Sequence, residues 1–124
     1  MKEIQAFIRT NKVNATKEAL ANAGFPAFLA RKCLGRGKQM EGSAAVRLVM
    51  ETGDLPISTE GETLTEIMRL IPKRFFSLVV EDDRAALAVK TIIEVNQTGN
   101  PGDGRIFVAP IQETYSVRKG KSGL

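Results

Sequence analysis

Two short clusters of glycine and cation stand far apart in this chain: Gly35-Arg36-Gly37-Lys38-Gln39 and Thr98-Gly99-Asn100-Pro101-Gly102-Asp103-Gly104-Arg105. Glycine lets the backbone approach a bulky anion and present bare N–H groups, while Lys and Arg supply charge. Either cluster alone is also ordinary turn chemistry, Pro101-Gly102-Asp103-Gly104 in particular. Two of them in one small chain, each with a basic residue attached, point to a polyphosphate gripped between two half-sites. A long, apolar-poor excursion leaves the first cluster, so the bound anion is expected to control where that excursion goes. This is the chemistry of a sensor and not of a catalyst.

Neither cluster is a P-loop. Residues 99–104 have the glycine spacing of a Walker A loop, but Arg105-Ile106 stands where Lys-Ser or Lys-Thr is required. Gly120-Lys121-Ser122 has the reverse defect, with Tyr115 where the first glycine belongs. The chain has no histidine, which removes the usual general base at neutral pH and the commonest metal ligand. Cys33 is the only cysteine, so an internal disulfide is impossible and a zinc site or His-dependent nucleophile is excluded. No carboxylates form a convincing acid/base pair.

At 124 residues the chain is one domain, 1–124, with the hydrophobic (43%) and charged (26%) content of an ordinary globular protein. Met1-Lys2-Glu3-Ile4-Gln5 puts charge and amide inside what would be an export segment's apolar stretch, and no apolar run approaches the roughly 18 residues a membrane helix needs. A cytoplasmic protein with no membrane insertion is expected. The net charge of +4 fits an anionic partner, although much of the excess lies in Arg118-Lys119-Gly120-Lys121, which also reads as a solvated terminus.

The elements that must position the clusters follow from periodicity. Residues 3–9 alternate, with Ile4, Ala6 and Ile8 on one face, and predict a strand. Asn14 is a good N-cap for a helix to about residue 23, with Leu20 and Ala23 on its apolar stripe and Gly24 as its stop. Pro26 and a second strand at 28–34 deliver the chain to the first cluster. Residues 39–70 break every pattern with Gly42, Gly53, Pro56 and Gly61; a short helix at 63–71, capped by Thr63 with Glu66, is expected there, and 44–50 fits either a strand or a helical turn. A third strand spans 74–80. Asp82 or Asp83 caps a second helix carrying Ala85, Val89, Ile92, Ile93 and Asn96 on one stripe. The second cluster, a strand at 105–109 and an extended piece at 115–118 complete the order.

Strand-helix-strand, long loop, strand-helix-strand is the pattern of an α+β, ferredoxin-like βαββαβ sandwich. Its helices cover one face only. Phe75 with Val79, and Phe76 with Leu78 and Val80, make the third strand apolar on both sides, so the second face is expected to be buried in another subunit. Such sheets also carry RNA, but Arg105-Ile106-Phe107-Val108 lacks the Gly-aromatic-Gly start of the RNA-recognition signature, and Phe107 is assigned to the core. Nucleic acid is therefore not expected as a partner. Cys33 reads as a small strand residue. Lys73 reads as a solvated cation, of interest because the long loop rejoins the sheet there.

Taken together these residues resemble the PII signal-transduction family. Gly35-x-Gly37-Lys38-Gln39 is similar to that family's stretch at the base of its T-loop, and Pro72-Lys73 to the Pro-Lys where the loop rejoins the sheet. Thr98-Gly99-x-x-Gly102-Asp103-Gly104-Arg105-Ile106-Phe107-Val108 resembles the B-loop, which usually ends Lys-Ile-Phe-Val, and Arg118-x-Gly120 resembles the C-terminal Arg-Thr-Gly. The likeness covers essentially the whole chain: a T-loop at about 37–72, a B-loop at about 98–105 and a C-terminal segment at about 112–124. Residues 30–38 and 92–104 look like the nitrogenase-operon branch, long T-loop type.

The resemblance implies a trimer of ferredoxin-like subunits with ATP or ADP in each inter-subunit cleft, and 2-oxoglutarate bound beside Mg-ATP. It implies that Gly35, Gly37, Lys38, Gly102, Asp103, Gly104 and Arg105 hold nucleotide, with Arg118 reaching in from a neighbour. Gln39 would help coordinate Mg²⁺ with 2-oxoglutarate, and Lys73 would pair with that ligand's distal carboxylate. Three departures bear on affinity and on ATP against ADP: Ser116 stands where a second Arg is frequent, and Leu29 and Ser77 replace residues that commonly contact adenine. The long loop lacks the tyrosine that uridylylated members modify, so no uridylylation is expected. The extra length is tolerable, since doubling a flexible loop costs only about 0.6 kcal/mol. The implied function is a non-enzymatic nitrogen regulator that senses ATP/ADP and 2-oxoglutarate and reversibly inhibits nitrogenase by binding dinitrogenase through the T-loop. It would act as a homotrimer or as a hetero-oligomer with a paralogous PII-like chain. The alternative is a general PII adaptor controlling an ammonium channel or glutamine synthetase. Arg47, Glu51, Glu60 and Met68 are the candidate loop contacts.

Overall fold

The structure, a computed structural model, describes residues 1–37 and 70–124. The expected helix at 63–71, the segment 44–50, the candidate loop contacts, Lys38 and Gln39 therefore lie wholly or largely outside the described residues. The chain forms two compact units, Met1–Cys33 with Lys73–Leu124, and Leu34–Pro72. Of the second, the described residues are the end of one strand, the start of another and the short segments beside them.

The first unit is a four-stranded sheet covered by two helices. Strand β1 (Lys2–Arg9) leads through a 3-10 turn (Thr10–Lys12) into helix α1 (Val13–Asn22) and strand β2 (Leu29–Gly35). Strand β3 (Ile71–Val80), a second 3-10 turn (Asp82–Arg84), helix α2 (Ala85–Asn96) and strand β4 (Arg105–Pro110) follow. A hairpin of β5 (Tyr115–Ser116) and β6 (Lys121–Ser122) ends the chain. The sheet order is β2-β3-β1-β4, with β1 antiparallel to both β3 and β4. This is the expected ferredoxin-like α+β arrangement. Each element comes within a few residues of its expected span; β3 begins earlier than expected, at Ile71.

The alternation in β1 decides the layers. Ile4, Ala6 and Ile8 are buried together with Phe76, Leu78 and Val80 of β3 and with Leu20, Ala85, Ala88 and Ile92 of the helices. Ile106 of β4 packs against this cluster. Because side chains alternate across a strand, the neighbours of Ile106 must face the other way. Phe107, which the sequence assigns to the core, is instead half exposed on the helix-free face. There its ring meets Phe7 edge-on at 6.1 Å, and Phe7 packs on Phe75 at 5.0 Å. Arg31 lies over Phe75, 5.1 Å from the ring centre. Leu29 (72% exposed) and Val79 extend this apolar face, the one the sequence assigns to a neighbouring subunit.

Both helix starts differ from expectation. Helix α1 begins at Val13 with Lys12 in the cap position, so Asn14 is already helical and makes no cap. Asp82 and Asp83 fall in the 3-10 turn, and α2 starts at Ala85 after Arg84 with no side-chain cap. Arg84 is held elsewhere: it donates to the carbonyls of Ala23 (3.0 Å) and Gly24 (3.3 Å) and stacks on Phe25. The guanidinium thus serves the end of α1, where carbonyls lack helical partners, and fixes the chain entering α2.

The helices are also joined by a buried polar pair. Asn96 Nδ2 donates to Thr16 Oγ1 at 3.0 Å and to the Ile92 carbonyl at 2.9 Å, and the Thr16 hydroxyl donates to the Lys12 carbonyl at 2.7 Å. Removing one partner strands a buried polar group, which costs about 1–3 kcal/mol. Thr16→Val is expected to lower stability by about that amount, read from chemical denaturation followed by circular dichroism.

Candidate phosphate-binding loop

The second glycine cluster joins α2 to β4, and one carboxylate gives it its shape. Asp103 Oδ2 accepts from the backbone N–H of Thr98 at 2.7 Å and of Gly99 at 2.9 Å, and Oδ1 accepts from the Thr98 hydroxyl. Thr98 Oγ1 in turn accepts from the Asn100 N–H at 3.2 Å. The side chain thereby folds the loop back on itself, as Asp does wherever it bonds to nearby backbone amides.

Two cations from adjacent strands hold the loop from beneath. Arg9, the last residue of β1, donates from Nη2 to the Pro101 carbonyl (2.9 Å) and to Asp103 Oδ1 (3.1 Å). Lys73 is the register partner of Arg9 on β3, and its Nζ donates to the Gly102 carbonyl at 2.6 Å. Hydrogen bonds from the Thr98 side chain and backbone, and then from Arg9, keep the Asp103 carboxyl well below the usual carboxylate range. Burial lowers the Lys73 ammonium, and the nearby Arg9 charge lowers it further.

Glycine is required at two points. Gly102 and Gly104 have φ of 96° and 113°, a region that disfavours side chains. A Cβ on Gly104 would also stand 1.8 Å from the Phe7 carbonyl oxygen, so the loop's exit is pressed onto the backbone of β1. With the carbonyls of residues 101 and 102 turned to the cations, the N–H groups of Gly102, Asp103 and Gly104 have no hydrogen-bond partner among the described residues. Gly102, Gly104 and Arg105 are exposed. Bare amides beside a guanidinium that has no partner among the described residues suit an anion. The apolar groove of about 460 Å³ beside Val89, Ile93 and Val108 lies towards the other end of β4 and offers no such donors.

Of the residues named from sequence, the structure brings Lys73, Gly102 and Asp103 into one network, with Gly104 and Arg105 continuing it. Arg118 lies in the turn of the C-terminal hairpin, outside that network. Gly35 ends β2 and Gly37 lies beyond it, both in the second unit. The Asp103 side chain is committed to the loop itself, which leaves its backbone N–H, and not its carboxylate, facing an anion. Arg9 was missed. The sequence shows only a cation at the end of the first strand, and which loop it meets depends on the sheet.

With this geometry in place, comparison with known proteins is informative. The family model for nitrogen regulatory protein P-II matches residues 1–121. The chain belongs to that family, whose members are signalling regulators and not enzymes. It is 46% identical to "Nitrogen fixation nifHD region GlnB-like protein 2" of Methanobacterium ivanovii, over 99% of this chain and 96% of the relative. It is 45% identical to the protein of the same name from Methanothermococcus thermolithotrophicus, over 99% and 95% of the two chains. The "GlnB-like protein 1" of that second organism is 36% identical over the full length of both. Among the described residues no helix is long and apolar enough to cross a membrane.

Two outcomes test the loop. Gly104→Ala is expected to displace the loop and lower the melting temperature, because its Cβ meets backbone that cannot yield. Asp103, whose carboxyl is lowered on folding, contributes stability that is fully present above its unfolded value of about 4 and lost as pH falls below it. The stability difference between wild type and Asp103→Asn, followed from pH 6 downward, is therefore expected to shrink below about pH 4.

Proposed function

We propose that this chain is a sensor of adenine nucleotide and 2-oxoglutarate that reversibly inhibits nitrogenase by docking its long loop on dinitrogenase. The observation that carries the nucleotide part is the loop at 98–105: amides of Gly102, Asp103 and Gly104 with no partner among the described residues, in a loop shaped by Asp103, Arg9 and Lys73. The family in general binds adenine nucleotides and 2-oxoglutarate. The nitrogenase part is supported by relatives named for the nifHD region.

In this reading the amides of Gly102, Asp103 and Gly104, with the Arg105 side chain, hold the phosphates, and Arg118 approaches from a neighbouring subunit of a trimer. Gly35, Gly37 and Lys38 stay in the nucleotide set, and Gln39 in the Mg²⁺ and 2-oxoglutarate set, on the sequence pattern alone. Mg²⁺ keeps most of its oxygens from phosphates and water and needs few from protein, so Gln39 alone would suffice as its protein ligand. Lys73 suits the distal carboxylate of 2-oxoglutarate. Its ammonium is lowered by partial burial and by the Arg9 charge beside it, a condition that an arriving carboxylate relieves. When bound, the metal links the two ligands' charges.

Assembly follows from the same residues. The helix-free face, with Phe7, Phe75, Phe107, Leu29 and Val79, is apolar enough to need a partner. PII-like proteins oligomerise and act through protein partners. The existence of relatives named GlnB-like protein 1 and 2 supports a paralogous chain as one such partner.

Calorimetric titration of the purified protein with Mg-ATP and 2-oxoglutarate, separately and together, tests the sensor. Each ligand is expected to strengthen the other by about 1–3 kcal/mol; no 2-oxoglutarate binding in the presence of Mg-ATP would refute it. Lys73→Ala is expected to abolish relief of nitrogenase inhibition by 2-oxoglutarate while leaving inhibition itself intact, read in a nitrogenase activity assay.

A further inference from the structure

An anion site that contains an aspartate at its centre poses an electrostatic problem. Asp103 cannot be dispensed with, because its carboxylate closes the loop through Thr98 and Gly99. Its charge nevertheless stands next to the amides on which phosphate would rest. We propose that Arg9 is the positioning residue of the phosphate grip, acting through Asp103 and Pro101 and not by touching the anion. The inference deepens the reading of residues 98–105 as a nucleotide-binding loop and rests on it.

Three observations on Arg9 support this role. Its Nη2 pairs with Asp103 Oδ1 at 3.1 Å, so the carboxylate is neutralised on the side away from its amide donors. The same nitrogen takes the Pro101 carbonyl at 2.9 Å, turning that oxygen inward. Both contacts bear on residues that flank Gly102, whose amide would meet phosphate. Finally, the guanidinium lies flat beneath Gly102: a Cβ there would come within 3.3 Å of Nη2 and 3.6 Å of Cζ and Nη1. A planar cation fits that slot, and a compact, strongly hydrated ammonium does not reproduce it. The β1–β3 register then places Lys73 beside Arg9, where it takes the next carbonyl, that of Gly102.

The test uses the full chain and two probes, ATP and inorganic tripolyphosphate, titrated at one salt concentration. Arg9→Met is expected to weaken both by about tenfold or more and by similar factors, since the loop handles phosphate and not the base. The amide signals of Gly102 and Gly104 are expected to shift in ¹⁵N spectra while those of the core strands stay in place. Arg9→Lys, which keeps the charge without the planar guanidinium, is expected to remain about threefold or more weaker than wild type at an unchanged melting temperature. Wild-type affinity in Arg9→Lys or in folded Arg9→Met overturns the assignment and leaves the nucleotide reading standing. Should Arg9→Met fail to fold, Arg9→Lys decides. If wild type itself binds neither probe, the nucleotide reading fails and this assignment falls with it.

Discussion

The Asp103 carboxylate sits in a loop whose other polar groups are arranged for an anion, and much of the molecule is organised around making that tolerable. The carboxylate takes the Thr98 and Gly99 amides on Oδ2, and the Thr98 hydroxyl and the Arg9 guanidinium on Oδ1. Its charge is thereby spent inside the loop, and its ionised form is favoured far into acid. A neutral side chain would leave the loop without its closing bonds. An unpaired aspartate would repel the very ligand the amides are suited to hold.

That balance depends on strand register. Arg9 and Lys73 face the same loop because β1 and β3 run antiparallel with those two residues opposite one another. A one-residue slip of either strand would send that strand's cation to the helix side, into an apolar core. The register is in turn fixed by Ile4, Ala6 and Ile8 packing with Phe76, Leu78 and Val80 beneath α1 and α2. Gly104 adds a positional stop, since nothing larger fits against the Phe7 carbonyl. The core and the loop are therefore not separate features: hydrophobic burial sets the alignment that puts two cations under one turn.

The helix-free face carries the other constraint. Its aromatic cluster, Phe7 with Phe75 and Phe107, is partly covered by Arg31 but leaves Leu29 and Phe107 open to water. A polar strip beside it is internally satisfied, with Ser77 donating to Glu3 at 2.6 Å and Gln5 to Glu3 at 2.8 Å. Those bonds lower the Glu3 carboxyl. Such a face suits association with another subunit through apolar contact.

Element order, the ferredoxin-like class, the core of β1 and β3 and the family itself were all legible in the sequence. Period-two and period-3.6 patterns and the glycine spacing of residues 98–105 are local properties of the chain. Helix starts were read less well, because Asn14 and Asp82 are good caps in isolation and the anchoring of Arg84 on Ala23 and Gly24 is a contact between distant segments. Phe107 was misplaced for a related reason: a strand apolar on both sides does not declare which side meets the helices. The pairing of Arg9 with Asp103 was invisible for the same physical cause. Sequence determines which residues alternate and which turns are possible; only the packed sheet, by aligning β1 between β3 and β4, decides which cation meets which loop.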